Sequence, residues 1–439
     1  MDNENEIFEN NSVIPEEAEN VPETAEETPA ETVVEEATTE ATSETPEIPN
    51  KKKKKPLKIF LIVLGVIVGV ALVLAIAFVA IVYHYIGMID VVDPKVTDEI
   101  VDVIPPDDDV TDEPDSPQQD IDKIDDIINQ NTGTDNGTEP SDKPSDDNTT
   151  TDNNQSGNTG TTKPNTTPKP SVPPMYDENV YNVLLIGTDS RNKTDRGRSD
   201  SMILMSINKK TEEIHMTSFM RDSYVAIPGK YNNRINAAYA YGGADLLMDT
   251  IELNYKIKID KYVRVNFFSF MEVIDAVGGV TITVSDAEVK VMNNYIGELN
   301  TLLGKKSNDG KLSKGGTYNL TGKQALGYCR IRYVGNADFQ RTQRQRDVLM
   351  KVLEKVKGMS ISEMNDFLEI FLPKVTTNIP ESEIFSLVMN ALTYTKYPVY
   401  QHRIPADGTW WNLRVRGMAV LGMNFDKNIN MLKQEIYNK

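Results

Sequence analysis

Residue types that bind phosphate and hard cations gather at the ends of apolar segments in the C-terminal half of this 439-residue chain. The polar stretch after the apolar run Val183–Ile186 carries Asp189, Arg191, Asp195, Arg196, Arg198 and Asp200, and Arg221 closes the segment Glu213–Phe219. Tyr328–Tyr333 reads as a strand whose two-residue period puts Tyr328, Arg330 and Arg332 on one face. Cys329 and Ile331 then face the core. Taken alone, two arginines on a strand face fit a solvated surface or internal ion pairs at least as well as an anion site. The next segment shifts that balance. In Gln340–Val356 the apolar stripe is Val348, Leu349, Val352, Leu353 and Val356. At about 100° per residue, Arg341 and Gln345 fall in the same sector, with Arg344 and Arg346 to either side. An Arg and a Gln thus stand on the inward face where apolar residues belong, close behind two more arginines. Planar guanidinium groups give bidentate bonds to phosphate. Asp189 and Asp200 supply oxygen ligands for a hard divalent cation. Together they point to a pyrophosphate handled with Mg2+ or Mn2+.

Other chemistries find no support. No P-loop, GxSxG, HExxH, CxxC or GxGxxG precedes a suitable helix. The single cysteine, Cys329, rules out an intramolecular disulfide and a Cys-cluster metal site. His84, His215 and His402 are scattered and read as structural, and Trp410-Trp411 fits a sugar platform no better than a core or edge role.

The elements that must position these groups read as a mixed set. Val183–Ile186 is continuously apolar, a strand covered on both faces. Ser201–Ile207 and Glu213–Phe219 form a hairpin turning at Asn208-Lys209-Lys210. Residues 235–254 form a helix weakened by two central glycines. Lys261–Val265 is a strand, Phe267–Ala276 a helix, Val280–Val284 a strand, and Thr321–Leu326 a short helix leading into Tyr328–Tyr333. Gln340–Val356, Ser362–Leu368 and Glu381–Thr393 are helices. This order predicts an α/β fold, an α-β-α sandwich around a mixed central sheet.

Charge divides the chain. Its net −20 comes from two segments: residues 1–50 hold sixteen acids and no Lys or Arg, and residues 88–175 hold twenty-one acids against five lysines. Residues 176–439 keep 29 acids and 35 bases, a net of +6 that suits an anionic ligand. The acidic tail 1–50 and the segment 88–175 are too poor in large apolar groups to offset the entropy of ordering, so both read as disordered. A short helix near Asp120–Asn129 is the exception. The charge-free run Ile59–Val82 predicts a transmembrane helix over 59–83, too long and too far along the chain for a cleavable leader. Gly65 and Gly69 within it read as lipid-tolerated glycines before a helix-dimer face. The basic run 51–58 lies before it, and Asp90 and Asp93 lie after it. The positive-inside bias therefore puts the N-terminus in the cytoplasm and residues 88–439 outside, as a tether (88–175) of roughly 50 Å end to end followed by a head (176–439). The tether implies a head that works away from the membrane.

In order along the chain stand NVLLIGTDSR, GRSDSMIL, TSFMRDSYVAIPG, RINAAYAYGGADLL, LTGKQALGYCRIRY and DFQRTQRQRDVL. With a preceding membrane span, this succession resembles the LytR–CpsA–Psr family of bacterial cell-envelope proteins over residues 178–439. The resemblance implies an extracellular catalytic domain that moves an anionic glycopolymer, teichoic acid or capsule among them, from a polyprenyl-pyrophosphate carrier to peptidoglycan, releasing polyprenyl phosphate. It assigns Asp189 and Asp200 to the metal and Arg198, Arg221, Arg330, Arg332 and Arg341 to the phosphates, with Asp338 and Gln345 completing the site. Partners implied are the lipid-linked glycopolymer, peptidoglycan and the membrane. Nucleic acid is not among them, because the cytoplasmic part is acidic apart from lysines abutting the bilayer. Alternatives are a non-catalytic polyprenyl-phosphate binder, a polyprenyl-pyrophosphate hydrolase and, behind these, a membrane-linked transcriptional regulator. The long acidic tail and the tether depart from the family pattern.

Overall fold

The chain's longest apolar run becomes its first helix, and from there helices and strands alternate. The structure, a computed structural model, describes residues 55–92, 116, 118–133, 173–190 and 196–438. The acidic tail, most of the tether, and Arg191 and Asp195 lie outside the described residues. Chain order is α1 (Lys55–Ile86), β1 (Asp90–Val91), α2 (Gln118–Thr132), β2 (Val180–Thr188), β3 (Ser199–Asn208), β4 (Glu213–Phe219), β5 (Tyr224–Val225), β6 (Asn233–Arg234), α3 (Ile235–Tyr255), β7 (Lys261–Asn266) and α4 (Phe267–Ala276). It continues with β8 (Val280–Val284), α5 (Asp286–Leu302), β9 (Gly316–Leu320), α6 (Gly322–Cys329), α7 (Ala337–Lys357) and α8 (Ile361–Phe371). Last come β10 (Thr376–Thr377), α9 (Glu381–Tyr394), β11 (Val399–Ile404), β12 (Trp410–Val415), β13 (Met418–Met423) and α10 (Phe425–Tyr437). Residues 1–67 and 68–439 are separate units, and of the first only the helical residues 55–67 are described. The window Gly69–Ile86 has a mean hydropathy of 2.3, apolar and long enough to cross a membrane.

Seven strands form the central sheet in the order β1-β10-β7-β2-β3-β4-β11. β2, β3 and β4 are antiparallel neighbours, whereas β7 runs parallel to β2 and β11 parallel to β4. The sheet is mixed, as expected. Period-two alternation sorts its faces. Leu184 and Ile186 join Leu204, Ile251 of α3 and Leu432 of α10 in one core. Val183 and Leu185 point the other way. A second core joins α4 to α8 with the antiparallel β8–β9 pair. In α3 the predicted weak point is real: Gly243 has φ 67° and ψ −154°, which splits the helix.

Two expectations are corrected. Tyr328–Tyr333 is not a strand. α6 runs to Cys329, Arg330 is its C-cap, and Arg332 stands in the following loop. Six alternating residues are too few to decide between strand and helix, and tertiary packing decides here. The first residue of α6, Gly322, lies so close to the Met271 carbonyl of α4 that a Cβ would overlap it. The tether is corrected in part. α2 extends beyond the expected 120–129, and its Ile121, Ile124 and Ile128 are buried in the core beside α3 and α10. Asn131 Nδ2 donates to the Asn254 carbonyl at 2.7 Å, and Ser116 exchanges two bonds with the Arg414 backbone. One apolar face every 3.6 residues was enough to draw this acidic segment back onto the head.

Replacing the fully buried Ile124 by Ala should therefore lower head stability by about 2–5 kcal/mol, the usual range for Ile→Ala in a core. Denaturant unfolding of the full chain measures it, and an unchanged midpoint would mean that α2 does not belong to the core.

Candidate functional site

At the end of β2 the ladder with β3 slips: Gly187 pairs with Ser201 but Thr188 pairs with Ser199. Asp200 is the extra residue of this bulge, a device that re-aims a side chain at a sheet end. Beyond it the two chains lock reciprocally. The Asp189 N–H donates to the Arg198 carbonyl at 3.2 Å, and the Arg198 N–H donates to Asp189 Oδ1 at 2.6 Å. Gly197, at φ +66°, makes this closure possible, because a Cβ there would strike Asp189 Oδ1. Arg221 follows β4 and donates through Nη1 to Asp200 Oδ1 at 2.7 Å.

The opposing wall comes from α6 and α7. Asp338, in the first turn of α7, accepts from Arg332 Nε at 3.0 Å and from Arg341 Nη2 at 2.9 Å, and Arg221 Nε lies 3.9 Å away. Arg330 is held separately. Its guanidinium pairs with Glu298 at 3.1 Å and stacks over Tyr295, 4.4 Å from the ring centre. Asp189, Arg198, Asp200, Arg221, Arg330, Arg332, Arg341 and Gln345 all line one cavity of about 530 Å³, and Asp338 stands behind as the counter-ion. Most of the rest of its wall is apolar. Val348, Leu349, Val352, Leu353 and Val356 continue along α7, opposite Leu185, Val263, Phe367 and Phe371. From Arg341 to Val356 the helix rises roughly 22 Å at 1.5 Å per residue. The cavity is thus cationic at one end and greasy at the other.

Charge is held tightly at the cationic end. Burial works to raise the pKa of Asp200, but Arg221, Arg341 and Arg332 override it and hold the carboxyl below the usual range. Arg221 shifts upward: burial opposes its charge, while Asp200, Asp222 and Asp338 more than compensate. Burial depresses Arg341, whose Nε has no hydrogen-bond partner among the described residues. Burial also pushes the Cys329 thiol up to about 12, so this lone cysteine is inert wall. Among the described residues no three His, Cys, Asp or Glu side chains cluster to hold a metal. A cation at Asp189 and Asp200 would take its other ligands from phosphate and water, the usual habit of Mg2+.

The profile of the LytR_cpsA_psr family matches residues 141–436. The chain belongs to that family. A polyisoprenyl-teichoic acid–peptidoglycan teichoic acid transferase, TagU of Bacillus licheniformis, is 34% identical over 232 residues, covering 52% of this chain and 69% of the relative. The biofilm regulatory protein A of Streptococcus mutans is 36% identical over 250 residues, 54% of this chain and 59% of that protein. A solved structure of the LytR-CPS2A-psr family protein YwtF (TagT) with bound octaprenyl pyrophosphate lipid aligns at a TM-score of 0.45 and 28% identity, over 60% of this chain and 92% of that one.

In this LytR_cpsA_psr head, three supporting groups escaped the sequence reading. Asp222 lies 3.6 Å from Arg221, 3.5 Å from Arg234 and 3.7 Å from Arg332. Burial raises its pKa despite Arg221, and Asp338 adds to the rise. Arg344 only flanks the apolar stripe in sequence. In the fold it is buried, bonding Glu288 at 2.9–3.0 Å and the carbonyls of Ile331 and Val334 at 3.2 and 3.1 Å. It staples the loop that carries Arg332. Glu288 also caps α5 through Ser285, so one carboxylate serves both tasks. Only an arginine with no apolar excuse for its place could have signalled this.

The depressed pKa of Asp200 gives a signed pH prediction. Its stabilisation is complete above the ordinary Asp value of about 3.9 and is lost as pH falls through the lower folded value. Asp200→Asn should cost about 1.5–3 kcal/mol at pH 7, the range for bonds to charged groups. Thermal unfolding against pH should show that gap narrowing in acid, and a gap independent of pH would contradict the ion pair.

Proposed function

We propose that the head transfers an anionic glycopolymer from a polyprenyl-pyrophosphate carrier to a hydroxyl of peptidoglycan and releases polyprenyl phosphate. One observation carries this reading: a single cavity joins a cluster of guanidinium groups to a long apolar wall on the same helix. Only an amphiphile with a compact anionic head and a long hydrocarbon tail satisfies both ends. The transferase names of the TagU relatives agree with it.

The acceptor oxygen attacks the phosphorus next to the sugar and gives up its hydroxyl proton to water, the bridging P–O bond breaks, and polyprenyl phosphate leaves with the bonding electrons. Arg221, Arg332 and Arg341 sit where they would neutralise charge gathering on the leaving phosphate, and Arg198, Arg330 and Gln345 would orient it. Asp338 fixes two of those guanidinium groups before any substrate arrives, so little reorganisation is needed in the transition state. Asp189 and Asp200 fit a hard divalent cation, Mg2+ or Mn2+, which supplies further neutralisation of the diphosphate when bound. The lysine run ahead of α1 supports a head outside the cell, on the side of its acceptor.

The test is transfer by the full chain in lipid nanodiscs, with a lipid-linked donor and a peptidoglycan acceptor. The expected product is glycopolymer joined to peptidoglycan through a phosphodiester. Release of free glycopolymer phosphate would mean hydrolysis, and donor binding without product would mean a carrier. Arg330→Ala and Arg332→Ala should each slow transfer by about 100-fold or more with the fold retained by circular dichroism. Wild-type rates in both variants would remove these residues from the site.

A further inference from the structure

The last turn of α1 is part of the head. Val82 and Ile86 are buried against Val183, Ile379 and Ile384. The Tyr83 ring stacks on Phe385 of α9 at 5.8 Å, and the Tyr85 hydroxyl donates to Asn365 Oδ1 of α8. After three intervening residues β1 has entered the sheet, pairing Asp90 with Thr376 and Val91 with Thr377. So little chain leaves no slack between helix and sheet.

This seat adjoins the greasy end of the cavity. Leu185 and Val263 pack against the α1 seat and also line the cavity. Phe367 and Phe371 of α8 line it too. The cationic end lies away from the seat. β2 climbs from Val183 to Asp189 in six steps, roughly 20 Å at 3.3 Å each, which agrees with the 22 Å rise of α7.

Helical spacing then picks out an apolar surface flanking α1. Ile361 lies four residues before Asn365 and shares its face of α8, while Val388 and Met389 lie three and four residues after Phe385 on α9. All three are exposed: 92% for Ile361, 45% for Val388 and 52% for Met389. Beside a span with aromatic residues at its end, such a surface fits the interfacial zone of a bilayer.

We infer that α1, α8 and α9 seat the head directly on the outer leaflet, so that a prenyl chain passes sideways from the bilayer into the greasy end of the cavity beside α1. The inference rests on reading α1 as a membrane span and the cavity as a prenyl-diphosphate site. It adds a defined membrane-facing surface and a fixed height of roughly 20 Å for the phosphate chemistry.

The experiment uses the full chain in nanodiscs, with single cysteines at Ile361→Cys, Met389→Cys and, as a control, Asp407→Cys. Asp407 follows β11, whose end pairs with that of β4 near Arg221. Cys329 is buried and serves as the unlabelled background, checked in the parent protein. An environment-sensitive fluorophore at 361 and 389 should lose most of its emission to nitroxide lipids bearing the quencher just below the headgroups. The label at 407 should not. A second pair, Tyr85→Cys with Asn365→Cys, should form a disulfide on mild oxidation in the same membranes. Labels at 361 and 389 that behave like 407 would overturn the seating, as would a reduced 85–365 pair that still reacts with maleimide. Binding of octaprenyl diphosphate to the same protein in detergent reports on the cavity independently. Binding without quenching sinks the seating alone, and quenching without binding keeps the seating while removing the route for the chain.

Discussion

A guanidinium set into an apolar wall keeps its charge, so it must be matched by carboxylates or by a ligand. Here carboxylates do much of that matching: Asp200, Asp222 and Asp338 face Arg221, Arg234, Arg332 and Arg341, and Glu298 pairs with Arg330. Ion pairs this buried are poor sources of stability, since desolvation consumes most of the attraction. What they do well is hold shape. Asp338 fixes Arg332 and Arg341 at once, and among the described residues the Nε of Arg341 finds no partner. An anion entering the cavity would meet these guanidinium groups already in place.

One helix carries both halves of the site. α7 begins with Asp338, Arg341 and Gln345 and ends in a valine and leucine stripe, so one rigid rod carries both the polar and the apolar wall of the cavity. That was legible in the sequence because seventeen residues at a 3.6 period give four turns of pattern, and a polar pair inside an apolar sector stands out against it. The central strands and the mixed sheet were legible for a similar reason. Continuous apolar runs need cover on both faces, and β2 through β4 have it.

Shorter patterns misled. Tyr328–Tyr333 alternates convincingly, yet α6, packed close against α4 at Gly322, runs on to Cys329 and leaves its end a loop. The arginines still reach the cavity, for a different reason: Arg344 and Glu288 hold the loop from behind. Support of that kind is invisible in sequence, since Glu288 and Arg344 stand on different helices and Asp222 and Asp338 are more than a hundred residues apart. Nor does any local signal mark the bulge that re-aims Asp200. The register of a ladder is a property of two strands together.

The long acidic segment between α1 and the head takes on another meaning in the fold. Read as a free coil, it sets the reach of the enzyme. In the structure it is pinned at β1, at Ser116 and α2, and again at Met175, whose N–H bonds the Lys256 carbonyl at 2.7 Å. A stretch whose two ends are both fixed to one body adds nothing to that body's reach, however many residues it holds. Its length is also thermodynamically cheap, since closure entropy grows only with the logarithm of residue number. The separation between the cationic and greasy ends of the cavity is set by rigid elements, the rise of β2 and of α7, rather than by the statistics of a tether. Composition fixes what a segment would do if left alone. Three buried isoleucines on one face of α2 mean that this one is not.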